Sequence, residues 1–216
     1  AINGSGYSSN NYQFVQAAGN ATALTIGQKA LTITASTQST TYGTALILGT
    51  SAYSTAGLVN GDSVTAVTLL QGGNSTVPAT QGAGTYTGTT HGVIPSSAAG
   101  TGLANYSITY VPNTLTINKA TLVVTADNQI RVYGDANPTL TYVISGYVNS
   151  ENLANSGVTG APTISTTATA SSNVNSYTIT SAANNLAAAN YQFSYTDGTL
   201  TVNRRPVTVT ADDKAR

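Results

Sequence analysis

One phrase recurs three times along this chain and fixes what the chain can fold into. It reads ALTIGQKALTIT from Ala23, TLTINKATLVVT from Thr114 and TLTVNRRPVTVT from Thr199, and the three align without a gap. The equivalent leucines, Leu24, Leu115 and Leu200, are separated by 91 and 85 residues. Tyr42-Gly43 and Tyr133-Gly134 are also 91 apart, as are Tyr86 in GTYTGT and Tyr177 in NSYTIT. NYQF at Asn11, NYSITY at Asn105 and NYQFSY at Asn190 mark the strand before each connector. Self-similarity at such a period identifies tandem modules. The six-residue difference falls between Tyr86 and Asn105, where TGTTHGVIPSSAAGTGLA is longer than its counterpart TITSAANNLAAA.

The alignment divides the chain into the tail of one module (1–27), two complete modules (28–118 and 119–203) and the opening strand of a fourth (204–216). Read this way, the sequence is a window on a longer array. Around each connector, apolar and polar residues alternate, as in Leu200-Thr201-Val202 and Val207-Thr208-Val209, which is the period-two signature of half-buried β-strands. Strands at both ends of such a window carry unpaired edges, so head-to-tail self-association is expected.

Leu, Ile, Val and Phe total 44 of 216 residues, near the level at which disorder is a concern, but the formal net charge is zero and 13 tyrosines add apolar area. Runs of Val, Ile, Thr and Tyr between Gly, Asn and Ser clusters suit small all-β modules with Thr and Ser on their wet faces. The fold expected is a tandem series of small β-sandwich (Ig-like) modules of six to eight strands in an elongated array. The alternative is a β-grasp-like α+β module, in which the stretch from Asn149 to Asn155 supplies one short helix. LVNGDSV near Leu58 could hold a similar helical turn.

The chain has no cysteine, which removes disulfides and thiolate metal sites and fits bacterial exported proteins that cross membranes unfolded. Seven basic and seven acidic residues form no basic stripe, so nucleic-acid binding is not expected. No apolar run is long enough to insert into a membrane.

The ordered phrases KATLVVTADNQIRVYGDANPTLTYVISGYVNSENL, SNVNSYTIT and ANYQFSYTDGTLTV resemble the MBG (YGX-type) and YDG repeats of large bacterial surface adhesins, including filamentous-haemagglutinin-like proteins exported by two-partner secretion. The first module departs from the pattern, with TYGTAL where the second has VYGDANPTL. The resemblance implies a stalk or spacer module of an extracellular adhesin or biofilm-matrix fibre at the bacterial cell surface. It implies no catalytic residues.

The residues with chemistry agree with a non-enzyme. His91 is the only histidine and lies in the longer stretch of the first module. Asp212-Asp213 is the only adjacent acidic pair, and neighbours on a strand face opposite ways. A calcium ion wants six or more oxygens; Asp127, Asn128 and Asp135 are candidates, but their first-module equivalents are Ser36, Thr37 and Thr44, so no metal or other cofactor is expected. Asp135 reads instead as a turn residue bonding nearby amides, with Gly43 and Gly134 supplying a conformation that a β-carbon disfavours. Tyr42, Tyr86, Tyr106, Tyr133, Tyr177 and Tyr191 recur at module-equivalent positions and are assigned to core packing. Tyr7 and Tyr53, in Gly/Ser-rich surroundings, are the candidates for ligand contact, with surface polysaccharide the partner they would suit. Phrases such as LTIT and VTVT resemble ice-binding faces, but occur as one strand per module. Asn3, Asn20, Asn74 and Asn105 begin glycosylation sequons.

NKA and NRR are the whole of the connectors, too short to act as flexible coil, so neighbouring modules of the chain should stack end to end.

Overall fold

A computed structural model describes residues 26–214. Seven strands of the second module repeat the plan of ten in the first. The first contains β1 (Lys29–Ala35), β2 (Gln38–Thr41), β3 (Leu46–Ile47), β4 (Tyr53–Ala56), β5 (Ser63–Leu70), β6 (Thr76–Val77), β7 (Gly84–Tyr86), β8 (Ile94–Thr101), β9 (Tyr106–Val111) and β10 (Leu115–Asn118). The second contains β11 (Ala120–Ala126), β12 (Gln129–Val132), β13 (Tyr142–Ser145), β14 (Thr163–Thr166), β15 (Asn175–Ala182), β16 (Tyr191–Thr196) and β17 (Gly198–Asn203).

Each module closes by laying its first segment beside its last. In one sheet β1 pairs in parallel with β9 and antiparallel with β4; in another β2 pairs in parallel with β10, which pairs antiparallel with β7. The second module repeats both arrangements as β13-β11-β16 and β12-β17-β15-β14. Registers match as well: Leu115 lies opposite Gln38 and Tyr86, and Leu200 opposite Gln129 and Tyr177. The opening segment thus crosses from one sheet to the other between Ala35 and Gln38, and again between Ala126 and Gln129. Because the first and last strands run the same way, the chain enters a module at one pole and leaves at the other.

Alternation decides which residues face inward. Leu31, Ile33 and Ala35 of β1 and Leu115 and Ile117 of β10 are buried in one cluster with Val67, Leu69 and Val77. In the second module, Leu122, Val124 and Ala126 of β11 and Leu200 and Val202 of β17 hold the same places. The fold is all-β, as the sequence implies. A β-grasp helix is absent: from Asn152 to Ser156 there is a single turn, closed by the Ser156 amide donating to the Asn152 carbonyl at 3.0 Å. The Asn152 and Asn155 side chains accept from the amides of Ala154 and Asn152, which competes with helical pairing. LVNGDSV likewise turns into β5 without a helix. The α-helix among the described residues is α1 (Gly88–His91), in the longer stretch of the first module.

The first module has ten strands, more than the expected six to eight, because it adds a short β3–β6 ladder and divides into β7 and β8 what is one strand, β15, in the second. The longer stretch separates β7, which pairs with β10, from β8, which pairs with β5; in the second module β15 alone makes both pairings, with β17 and with β14. Residues 204–214, aligned with β11, form no strand, and Val207 and Val209 are exposed. A strand needs ladder partners, and among the described residues none pairs with this stretch.

The equivalence is testable in the cores. Leu115→Ala and Leu200→Ala remove fully buried side chains from matching positions. Each should lower unfolding free energy by about 2 to 5 kcal/mol, read from chemical denaturation.

Candidate functional site

Among the described residues, an extended polar arrangement lies where the two modules meet. It begins with a local turn. Val148-Asn149-Ser150-Glu151 reverses the chain with Asn149 and Ser150 both left-handed (φ 54° and 60°), closed by the Glu151 amide donating to the Val148 carbonyl at 3.0 Å. Val59-Asn60-Gly61-Asp62 makes the same turn in the first module, with φ of 58° and 76° and a closing bond of 3.0 Å. Asn and Gly tolerate this region better than most residues.

A tyrosine from the start of a late strand clamps each turn. The Tyr191 hydroxyl accepts from the Val148 amide at 3.2 Å and donates to Glu151 Oε2 at 2.5 Å. In the first module, the Tyr106 hydroxyl accepts from the Val59 amide at 2.9 Å and donates to Asp62 Oδ2 at 2.9 Å. The carboxylate therefore stands at the same place at the leading pole of both modules.

In the second module that place is filled by the trailing pole of the first. Tyr42 packs edge-on to Tyr191, ring centres 5.5 Å apart, and donates to Glu151 Oε1 at 2.6 Å. Gly43, with φ 92°, sits against Val148; a β-carbon here would come within 2.5 Å of Val148 Cγ2. The Ala79 carbonyl accepts from both the Gly43 amide (3.0 Å) and Asn149 Nδ2 (3.2 Å), and Asn190 Oδ1 accepts from the Ala83 amide at 2.9 Å. Lys119, the single residue between β10 and β11, donates to the Ala188 carbonyl at 2.8 Å.

Apolar packing continues through the joint. Ala120, Leu122 and Tyr191 belong to the same buried cluster as Leu31, Leu69 and Leu115, and Val148, Val158 and Phe193 pack against it. Ala126, Ala168, Ile179 and Leu200 of the second module form a separate smaller cluster. The leading end of the second module's interior is therefore continuous with the core of the first.

One carboxylate thus holds two phenols from two modules. Burial first, and then the bond to Glu151, pushes the Tyr191 hydroxyl up to about 12. The Tyr42 hydroxyl is also raised, chiefly by its bond to Glu151 and then by burial.

The residues singled out in the sequence are placed elsewhere. Tyr53 is half-buried on β4 and donates to the Val64 carbonyl at 2.9 Å, so its ring is not the free surface group expected; Tyr7 lies outside the described residues. His91 is exposed at the end of α1. Asp127 accepts from Thr141 Oγ1 (2.6 Å), Asn128 from the Thr199 amide (2.8 Å), and Asp135 pairs with Arg205, so the three do not converge. Asp135 is consequently held by a guanidinium, not by backbone amides. Among the described residues no group of three or more His, Cys, Asp or Glu side chains could hold a metal. Gly43 and Gly134 do adopt the positive φ expected, 92° and 87°. Of the six tyrosines assigned to packing, Tyr42, Tyr106 and Tyr191 are buried and Tyr86 and Tyr177 half-buried, but Tyr133 is 42% exposed. Its counterpart Tyr42 packs on Tyr191 and bonds Glu151 of the module that follows.

The signal for this joint was present and overlooked. VNGD at Val59 and VNSE at Val148 put a carboxylate at the same place in both modules, in a chain with only seven acidic residues.

Fold and joint together define a tandem all-β repeat protein whose modules share a buried, directional contact. The sequence model of the MBG domain (YGX type) matches residues 31–116 and again 122–201, and the chain belongs to that family. No curated protein and no solved structure matches it.

Two measurements probe the joint. Glu151→Ala leaves two phenols without their acceptor and should cost about 1 to 3 kcal/mol, seen as earlier denaturation of the second module. Tyrosine ionises near pH 10 when unfolded, so neutral Tyr191 supports the fold fully below pH 10. That contribution is lost as pH rises through about 12, and alkaline titration of the tyrosine absorbance should show a late step that Glu151→Ala moves downward.

Proposed function

We infer that this chain is a structural spacer: stalk repeats of a bacterial extracellular adhesin or biofilm-matrix fibre, holding an adhesive element away from the cell surface. The observation that carries this reading is the joint itself. A one-residue connector, a carboxylate bonded to phenols of both modules and an apolar cluster running across the boundary together resist bending. Flexible tethers between modules need longer, solvated linkers. Entry and exit at opposite poles turn each added module into added length, and the MBG match is consistent with a repeat module of surface proteins. Catalysis requires convergent groups with shifted proton affinities. Among the described residues the shifted groups are tyrosines tied into turns and packing, which supports a non-enzymatic role.

The reading is tested by length. At roughly 30 to 40 Å for a compact module of this size, two stacked modules span on the order of 70 Å. Small-angle scattering should give an extended particle of that length, and Glu151→Ala or Gly43→Val should broaden the distribution of shapes. A compact or freely bending wild-type particle sinks the spacer reading. In the parent protein, His91→Ala, Asp135→Ala and Asp213→Ala should each leave adhesion intact, whereas removing one module shortens reach. Loss of ligand binding from one of these substitutions in a folded module would instead make the modules the binding sites for carbohydrate or host surface.

A further inference from the structure

The pairing between the first and last segments of each module keeps one register through both sheets. In the first module, residues 29–34 lie beside 106–111 and 38–41 beside 115–118, each residue 77 positions from its partner. In the second, 120–125 beside 191–196 and 129–132 beside 200–203 hold a separation of 71. Side chains bridge the crossing between sheets: Asn113 Nδ2 donates to the Ala35 carbonyl at 2.9 Å in the first module, and Asn128 Oδ1 accepts from the Thr199 amide at 2.8 Å in the second. Backbone bonds extend the ladder at its trailing end, from the Tyr42 amide to the Asn118 carbonyl and from the Tyr133 amide to the Asn203 carbonyl, each 2.9 Å. Buried Leu31, Ile33, Leu115 and Ile117, with their counterparts Leu122, Val124, Leu200 and Val202, hold the paired segments from the inner side.

Both segments of a pair run from the leading pole to the trailing one, while the chain enters at the start of the first and leaves at the end of the last. Tension along the chain therefore draws the first segment backward and the last forward, sliding two parallel strands past each other. A pull along the strands strains all the hydrogen bonds of the ladder together. A pull across them opens one pair at a time. The load passes directly from the first segment to the last, then through Lys119 into β11, and residues 42–105 and 133–190 lie outside its path.

We propose that each module is a tension-bearing clasp: the parallel pairing of its first and last segments resists stretching, and the rest of the module is chain held in reserve behind it. This role rests on the spacer reading for the source of the pull, since a stalk is what an anchored adhesive element would load. The clasp itself lies inside each module, between strands of this chain. Resistance to force follows the rate at which the loaded fold opens. Contacts within the clasp therefore count for more than equally buried contacts elsewhere in the module.

The chain has no cysteine, so engineered cysteine pairs choose where force enters in single-molecule pulling of the whole chain. Gln28, Asn105 and Arg204 are all exposed, and changing them leaves both cores intact. Handles at Gln28→Cys and Arg204→Cys load both clasps along their strands. Handles at Gln28→Cys and Asn105→Cys pull from the end where Lys29 lies opposite Tyr106, and unzip the first clasp pair by pair. The in-line handles should give two separate ruptures, each releasing on the order of 250 to 300 Å of chain, at several-fold higher force than unzipping. With in-line handles, Leu115→Ala should lower one of the two rupture forces. Leu69→Ala, equally buried but on β5, should leave both close to wild type, although chemical denaturation shows each variant destabilised. An in-line force no higher than the unzipping force overturns the clasp, as does equal weakening by the two alanine variants. If the chain still scatters as an extended particle, the spacer reading then stands without it. A particle that bends freely yet resists in-line force keeps the clasp and removes the spacer.

Discussion

Parallel pairing between the first and last segments of each module is the constraint on which the rest depends. β1 can join β9, and β2 can join β10, only after the chain between them has been laid down, so the closing contacts are among the most distant in sequence. Such contacts incur loop-closure entropy before they return anything. They are stabilised by what the pairing buries: Leu31 and Ile33 from one end, Leu115 and Ile117 from the other, inside one cluster. An antiparallel closure would bury similar surface, but would bring entry and exit to the same pole. The direction of two short strand pairs therefore decides that modules follow one another in line.

Once the poles are opposite, the joint follows from economy of charge. The chain carries seven acidic residues, and two of them stand at the leading poles on clamped turns. A carboxylate can accept several hydrogen bonds, so Glu151 serves Tyr191 in its own module and Tyr42 in the neighbour. Bonds to a charged acceptor are among the stronger ones in a partly buried place, and they are directional. Gly43 adds shape, since any side chain there would meet Val148. Packing alone would tolerate some rotation between modules. The shared carboxylate and the close glycine restrict it.

Differences between the modules are informative because the frame is the same. Six additional residues in the first lie in the stretch that separates β7 from β8, without altering the register of β1, β9 or β10. In the second, Arg131 stands where the first has Thr40 and is buried, donating from Nε to Asn137 Oδ1 at 2.8 Å and from its terminal nitrogens to the Val132 and Thr169 carbonyls. Asn137 in turn donates to the Ala168 carbonyl at 2.6 Å. Asn137 and Ala168 stand where Leu46 and Val77 pair in the first module, so the place of the β3–β6 ladder is tied in the second by a guanidinium and an amide side chain. That network was not legible in the sequence, because its partners come together only in the folded module.

The sequence by itself determined the number of complete modules, their all-β character and the strands that alternate inward, because a period of two in Leu, Ile, Val and Thr is written locally. It also marked the glycines, since a left-handed residue leaves a trace wherever it recurs. Only tertiary structure decided that the first and last strands run parallel, that the stretch after Val148 is a turn and not a helix, and that Glu151 belongs to a joint. The fate of the tyrosines shows the physical reason. Tyr42 and Tyr133 are the same residue in the same local phrase, yet one is 5% exposed and the other 42%. What separates them is Val148, Glu151 and Tyr191, which lie more than 100 residues beyond Tyr42 in the chain and reach it only through the stacking of one module on the next.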